Sequence, residues 1–225
     1  MSTPTYVVVP VKDHLELTQS LVEQLVDQGG HRAILVFDNG STDGTAAWLD
    51  EQAALGTLEA IDAAGLSLHK MWNAGVDLAR GRDRSPHVAI LNNDLVLGPD
   101  FCRRLGESLD ADPTLWAVSP NYDGRSIDGV EYVTSTYKNG GLAGFAFMVS
   151  GVALDHVWFD EDLVWWYGDD DLVAQIEAAG RRVGIASATT VEHVGGGSQT
   201  IRYSEDVLRV LEHDVLTMHR KWGRL

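Results

Sequence analysis

Residues 33–45 read AILVFDNGSTDGT, and the order of events within them decides the fold. Ala33 to Asp38 is a short apolar run of strand length, Asp38 to Gly44 consists of residues that turn a chain, and a helical pattern begins at about Thr42, with Ser41 or Thr42 placed to cap it. The same succession recurs on either side. YVVVPV at 6–11 leads to a helix from about His14, where Asp13 and Glu16 stand at capping-box spacing and Leu21, Val22, Leu25 and Val26 give one apolar face. HVAIL at 87–91 leads to a helix from Pro99. Strands alternating with helices in this way are βαβ units. The expected fold class is therefore α/β, a mostly parallel sheet flanked by helices with ligands outside the carboxyl ends of its strands.

The second half has a different character. VEYVTSTY and GFAFMV flank Lys138-Asn139-Gly140-Gly141, and Asn-Gly between two strand-like runs predicts a small antiparallel hairpin. WWYGDDDL at 165–172 then opens a helix whose apolar positions are Leu172, Val173, Ile176 and Ala179 and whose C-cap is Gly180. A last strand near Val183 to Ile185, a glycine-rich loop at 195–197 and a helix from Ser204 toward Trp222 complete the chain.

Composition narrows the class. With 225 residues, 44% hydrophobic and 22% charged, and no low-complexity tract, the chain reads as one globular domain without a disordered linker. Seventeen basic against thirty-three acidic side chains leave a net charge of −16, which repels a nucleic-acid backbone and excludes it as a partner. A polyanionic ligand is compatible with that charge if a divalent cation stands between them. The single Cys102, the absence of signal-peptide features and the lack of any membrane-length apolar run lead us to expect a cytoplasmic protein with no integral membrane segment.

Polar residues gather at three strand ends: Asp13 after the first, Asp38-Asn39-Gly40-Ser41 after the second, and Asn92-Asn93-Asp94 after the strand ending at Leu91. Asp38 either builds a strand-to-helix turn or accepts a hydrogen bond from a base edge. Asp94 either caps the helix after Pro99 or holds a hard cation such as Mg²⁺ or Mn²⁺, which takes oxygen ligands and needs few from the protein when a diphosphate supplies others. Asp169-Asp170-Asp171 is more than a helix start requires; crowding of three carboxylates raises a pKa and suits a general base. His193, beside the glycine-rich loop, is either structural or a metal ligand. Trp165, Trp166 and Tyr167 are either core or a wall that stacks on sugar rings.

In this order, VVVPVKD, VFDNGSTDGT, the Asn73-Ala74-Gly75 of WNAG, ILNNDLVL and YGDDDLVAQIEAAG resemble the family 2 glycosyltransferases of GT-A fold, from about Thr5 to about Ser198. The resemblance implies one domain over 1–225, with a nucleotide-sugar half at 1–98, an acceptor and catalytic half at 99–200 and a C-terminal helix at 201–225. It implies that Pro10, Val11, Asp13, Asp38, Asn73, Asn92 and Asn93 bind the nucleotide and that Asp94, with His193, binds Mn²⁺ or Mg²⁺. Asp169 would be the catalytic base with Asp170 beside it, and Trp165, Trp166 and Tyr167 would face the acceptor. The implied reaction moves a sugar with inversion from a UDP- or dTDP-sugar, of rhamnose or glucose type, to a hydroxyl of a glycan, protein or lipid-linked acceptor. The sequence departs from the family at Asn92, Gly168 and Gln175, where Asp, Glu and Arg are usual, and SLHKMW replaces a glycine-rich approach to Asn73.

Two other functions fit parts of this pattern. A sugar-nucleotide pyrophosphorylase shares a nucleotide-binding parallel sheet, but PVKDHLEL lacks the glycine-rich basic loop expected after the first strand. A non-catalytic carbohydrate- or protein-binding module would account for seven tryptophans and an acidic surface.

Overall fold

The structure, a computed structural model, describes residues 2–134, 141–194 and 204–223. In chain order its elements are β1 (Thr5–Val11), α1 (Leu15–Gln28), β2 (Ala33–Asp38), α2 (Thr45–Ala54), β3 (Glu59–Asp62), α3 (Leu68–Arg80), β4 (His87–Leu91), β5 (Leu95–Leu97), α4 (Phe101–Ala111), β6 (Leu115–Asn121), β7 (Val130–Val133) and β8 (Ala146–Val149). A 3-10 turn (Ala153–Asp155), α5 (Gly168–Ala178), β9 (Arg182–His193) and α6 (Glu205–Trp222) follow.

The strands lie in the order β3-β2-β1-β4-β8-β6-β9-β5, with β7 on β9. β3, β2, β1 and β4 are mutually parallel, as the βαβ pattern predicts. Their order reverses at β1: the chain builds outward to β3, then crosses back to place β4 on the other side of β1. Such a switch point opens a crevice at the carboxyl ends of the strands. Pro10, which has no N–H to donate, marks it. The β1–β4 pairing runs only from Thr5↔His87 to Val8↔Ile90, whereas β1–β2 pairing continues to Val11↔Asp38.

Side chains alternate across β1, and the two faces enter different layers. Tyr6 and Val8 pack with Met71, Trp72 and Val76 of α3 and Leu172, Val173 and Ile176 of α5. Val7, Val9 and Val11 pack with Leu21, Val22 and Leu25 of α1 and Phe101, Leu105 and Leu109 of α4. Helices on both faces explain why the central strands read as continuous apolar runs rather than alternating ones.

Several local expectations are corrected. Asp13 and Glu16 form no capping box: α1 begins after His14, and the Asp13 carboxylate instead accepts from Thr42 N at 2.7 Å. Neither Ser41 nor Thr42 caps α2, which begins at Thr45; Asp43 accepts from Thr45 N there. Among the described residues the two expected hairpin strands do not pair with each other: β7 pairs with β9, while β8 lies antiparallel between β4 and β6. Burial accounts for the difference, because all four residues of β8 are buried and belong mid-sheet, whereas β7 buries only Val133. Residues 138–140 of the expected turn lie outside the described residues. Gly180 takes positive φ just past α5, and Ser204 caps α6 through Val207 N, as the sequence predicts. Among the described residues no helix is long and apolar enough to cross a membrane.

Candidate active site

A cavity of about 500 Å³ opens at the switch point, lined by Pro10, Val11 and Lys12 from the end of β1, Asn39 after β2, Asn92 and Asn93 after β4, and Leu66, Leu68, Met71, Val164 and Trp165 across from them. Larger hollows of about 880 and 800 Å³ lie at the amino-terminal edge of the sheet, around Thr3 and Pro4. The smaller one holds the residues singled out by chemistry, and its apolar walls with amide edges suit a flat heterocycle.

The turns around this cavity are locked to one another. Asp38 Oδ1 accepts from Ser41 N at 3.0 Å and from Ser41 Oγ at 2.5 Å, and Ser41 Oγ accepts from Asp13 N at 2.7 Å. Asp13 and Asp38 therefore shape the crevice without lining it; Asn39 is the residue of that turn that reaches the cavity. Asn93 also lines it, yet its amide donates to Thr18 Oγ1 at 2.9 Å and so ties β4 to α1.

Asn73 does not line this cavity. It is 2% exposed, its Nδ2 donates to Phe159 O and Glu161 Oε1, and its Oδ1 accepts from Phe159 N, so the amide is spent holding the segment that leads to the aromatic run. Trp165 is 47% exposed and lines the same cavity as Pro10 and Val11, with Trp166 against it at 5.0 Å.

Asp94 and His193, ninety-nine residues apart, are brought together by the antiparallel β5–β9 pairing, in which Leu95 opposes His193. His193 Nε2 lies 2.9 Å from Asp94 Oδ1, and both side chains keep solvent contact. Two ligand atoms bound side by side at about 2.1 Å from an octahedral ion are about 3 Å apart, so this pair has the spacing and the O/N chemistry to hold a divalent cation. Among the described residues no group of three or more His, Cys, Asp or Glu side chains forms a self-sufficient metal cage. Further ligands to an ion here would come from its phosphate partner or water.

The three adjacent carboxylates separate into distinct roles. Asp169 stands in the first turn of α5, close against Gly144, where a Cβ would fall 2.6 Å from Asp169 Oδ2. Burial, with the neighbouring Asp170 charge second, pushes its pKa up to about 7, against the pull of the Asp169, Asp170 and Gly144 backbone N–H groups. The surface of Asp169 is not fully closed, so a proton can still reach it. Asp170 points outward, and the partial burial of its carboxyl raises its pKa too. Asp171 is 1% exposed and accepts from Trp222 Nε1 at 2.8 Å, Lys221 Nζ at 3.0 Å and Gln175 Nε2 at 2.6 Å. It is an anchor for α6, and Gln175, in place of an Arg, also bonds both backbone groups of Trp158.

Gly144 and Phe145 connect the two acidic centres. Gly144 touches Asp169, the Phe145 ring stacks on His193 at 4.5 Å, and Phe145 O accepts from Asn92 N. The departure at Gly168 has a steric cause: a side chain there would collide with the buried His69, whose Nδ1 bonds Leu163 O at 2.6 Å. Lys12, Gly144, His69 and Lys221 carry no mark of a site in the sequence, because only the three-dimensional fold brings them here.

The profile of Glycosyl transferase family 2 matches residues 6–157. The chain belongs to that family. The match stops before Asp169, so α5, β9 and α6 lie beyond it. No curated protein matches this family member in sequence. Its fold is GT-A, shared with GalNAc-T7 crystallised with UDP, GalNAc and Mn²⁺ (TM-score 0.69, 13% identity, 94% of this chain and 48% of that one). TarS of S. aureus with UDP-GlcNAc gives 0.65 at 15% identity, over 96% of this chain and 66% of that one. Glucosyl-3-phosphoglycerate synthase from Mycobacterium tuberculosis with Mn²⁺, UDP and glucosyl-3-phosphoglycerate gives 0.66 at 14% identity, over 99% and 81%. The chain thus spans about half of the first protein and more of the others.

Proposed function

We propose that this domain is an inverting glycosyltransferase that takes a sugar from a UDP- or dTDP-sugar and passes it to an acceptor hydroxyl. The observation that carries the reading is the adjacency, through Gly144-Phe145, of a half-buried carboxylate with raised pKa and an Asp-His pair of metal-binding chemistry. Family membership supports the reaction class, and the UDP of the GalNAc-T7, TarS and glucosyl-3-phosphoglycerate synthase structures supports the donor class.

In this reading the nucleobase enters the cavity between Pro10, Val11, Met71 and Trp165, with Asn39 and Asn92 at its polar edge. Lys12, on the rim of that cavity in a protein of charge −16, offers the diphosphate a cation. Asp94 and His193 would hold Mn²⁺ or Mg²⁺, which when bound would supply Lewis-acid neutralisation of charge on the leaving diphosphate. Asp169 accepts the proton of the acceptor hydroxyl as its oxygen bonds to the anomeric carbon; the bond from that carbon to the phosphate oxygen breaks, and its electrons leave with the nucleoside diphosphate. Attack from the face opposite the leaving group inverts the centre. A base with a pKa near 7 fits this task, being ionised enough at neutral pH and basic enough to take the proton.

The test is a panel of nucleotide sugars with Mn²⁺, read for donor hydrolysis and transfer. Asp169→Asn lowers turnover by about 10²–10⁴-fold, Asp170→Asn leaves most of it, and the product carries the inverted anomeric configuration. Unchanged turnover in Asp169→Asn removes the base from its role; a product of retained configuration removes the single displacement.

A further inference from the structure

The family match ends at residue 157, yet α6, far outside it, grips residues 160–171, the segment that carries Asp169, through His213, Asp214, Lys221 and Trp222. His213 bonds Asp162 O at 2.9 Å, and Lys221 reaches Asp160 at 2.8 Å. Asp214, 0% exposed, accepts from three consecutive backbone N–H groups: Val164 to Oδ1, Trp165 and Trp166 to Oδ2, each at 2.9 Å. Beyond them Lys221 and Trp222 hold Asp171. Only Tyr167, Gly168, Asp169 and Asp170 stand between the two grips.

This arrangement maintains a conformation the segment would not keep alone. Tyr167, the residue before α5, has φ 64° and ψ 11°. A bulky side chain in the left-handed region costs about 1–3 kcal/mol and persists only where its surroundings fix it. A carboxylate is suited to the fixing, since it has lone pairs for three converging N–H groups and a charge that strengthens each bond. A neutral amide accepts at one oxygen only, and its NH₂ would face N–H groups. Val164 and Trp165, two of the three residues gripped, are also walls of the 500 Å³ cavity.

We propose that α6 is part of the active site, and that Asp214 is a positioning residue that holds Trp165 in place as the closing wall of the nucleotide cavity. The proposal rests on the nucleotide-sugar reading above. It predicts that the C-terminal helix tunes nucleotide affinity while touching no nucleotide atom.

A double-mutant cycle with UDP and Mn²⁺, read by calorimetry, tests it. Trp165→Ala and Asp214→Asn each raise the UDP Kd by roughly three- to tenfold, and the double variant is no weaker than either single one, because both remove the same contact. A residue that merely stabilises the fold would lower Tm and leave the Kd of the folded protein unchanged. That result, or full additivity of the two changes, overturns the proposal. So does an undiminished affinity in Trp165→Ala, a half-exposed position whose truncation does not threaten folding. Amide hydrogen exchange at 164–166 needs no ligand and keeps the two readings apart. Loss of protection in Asp214→Asn with no binding of UDP, GDP or dTDP by the unaltered protein sinks the transferase reading but upholds the grip. Unchanged protection sinks the grip itself.

Discussion

The two acidic turns of this chain, Asp38–Asp43 and Asp169–Asp171, look alike as strings of letters and differ in where their hydrogen-bond partners come from. In the first, Asp38 is satisfied by Ser41 three residues on and Asp43 by Thr45 two residues on, with Asp13 joining from the neighbouring turn. The Thr45 hydroxyl holds the Asp43 carboxyl down to about 2. In the second, Asp171 draws on Lys221 and Trp222 about fifty residues away, and Asp169 is desolvated and pushed up to about 7. Local partners commit carboxylates to structure; burial without a cation of its own makes a carboxylate chemically useful.

The largest way to break this contrast is in the rate. Asp169→Asn should remove about 10²–10⁴-fold of turnover, whereas Asp43→Asn should leave turnover alone; comparable losses in both would erase the distinction. Next in size is stability. Asp171→Asn takes the carboxylate away from Trp222 Nε1 and leaves Lys221 only Asp160, and should cost about 1–3 kcal/mol in urea unfolding, against no such loss for Asp170→Asn at the outward position. A smaller effect concerns the ion. Asp94→Asn should weaken UDP binding about tenfold with Mn²⁺ and not at all in EDTA, and equal weakening in both would take the metal away from Asp94.

The pH dependence of stability sharpens the same comparison. Asp169 binds its proton more tightly folded, at about 7, than its ordinary value of 3.8. Its contribution is therefore fully present below about 3.8 and is lost as pH rises through about 7. Asp169→Asn should match the parent Tm at pH 3.5 and exceed it by roughly 3–8 °C at pH 8. Asp43 has the opposite sign: its depressed carboxyl stabilises above pH 3.8 and stops doing so as pH falls toward 2. Asp43→Asn should thus lower Tm slightly at neutral pH, and less so in strong acid.

Much of the first half is legible in sequence for the reason the first acidic turn is: its determinants are close together. Apolar runs of strand length, turn residues and helix periodicity are local signals, and they place β1, β2, β4 and the helices α1, α2 and α4, while α3 between β3 and β4 is not predicted. β3 is missed because EAID is short and only partly buried, with no apolar run to read. The hairpin fails because Asn139-Gly140 gives a strong local signal that mid-sheet burial of β8 overrides. In the candidate site, Asp94, His193 and Asp169 stand out in sequence by residue type and by place after a strand or before a helix. Asn73 is misread because an amide near a cleft looks the same whether it faces ligand or binds Phe159. Asp214 carries no local mark; its role exists only because α6 folds back over residues 160–171.

The central claim is that Asp169 is a carboxylate whose proton affinity is set by burial. A ¹³C NMR titration of the side-chain carboxyls, with Asp169→Asn used to assign the resonance, measures this directly. The account predicts an Asp169 midpoint near 7, far above the Asp43 midpoint near 2. An Asp169 midpoint near 4 would contradict it.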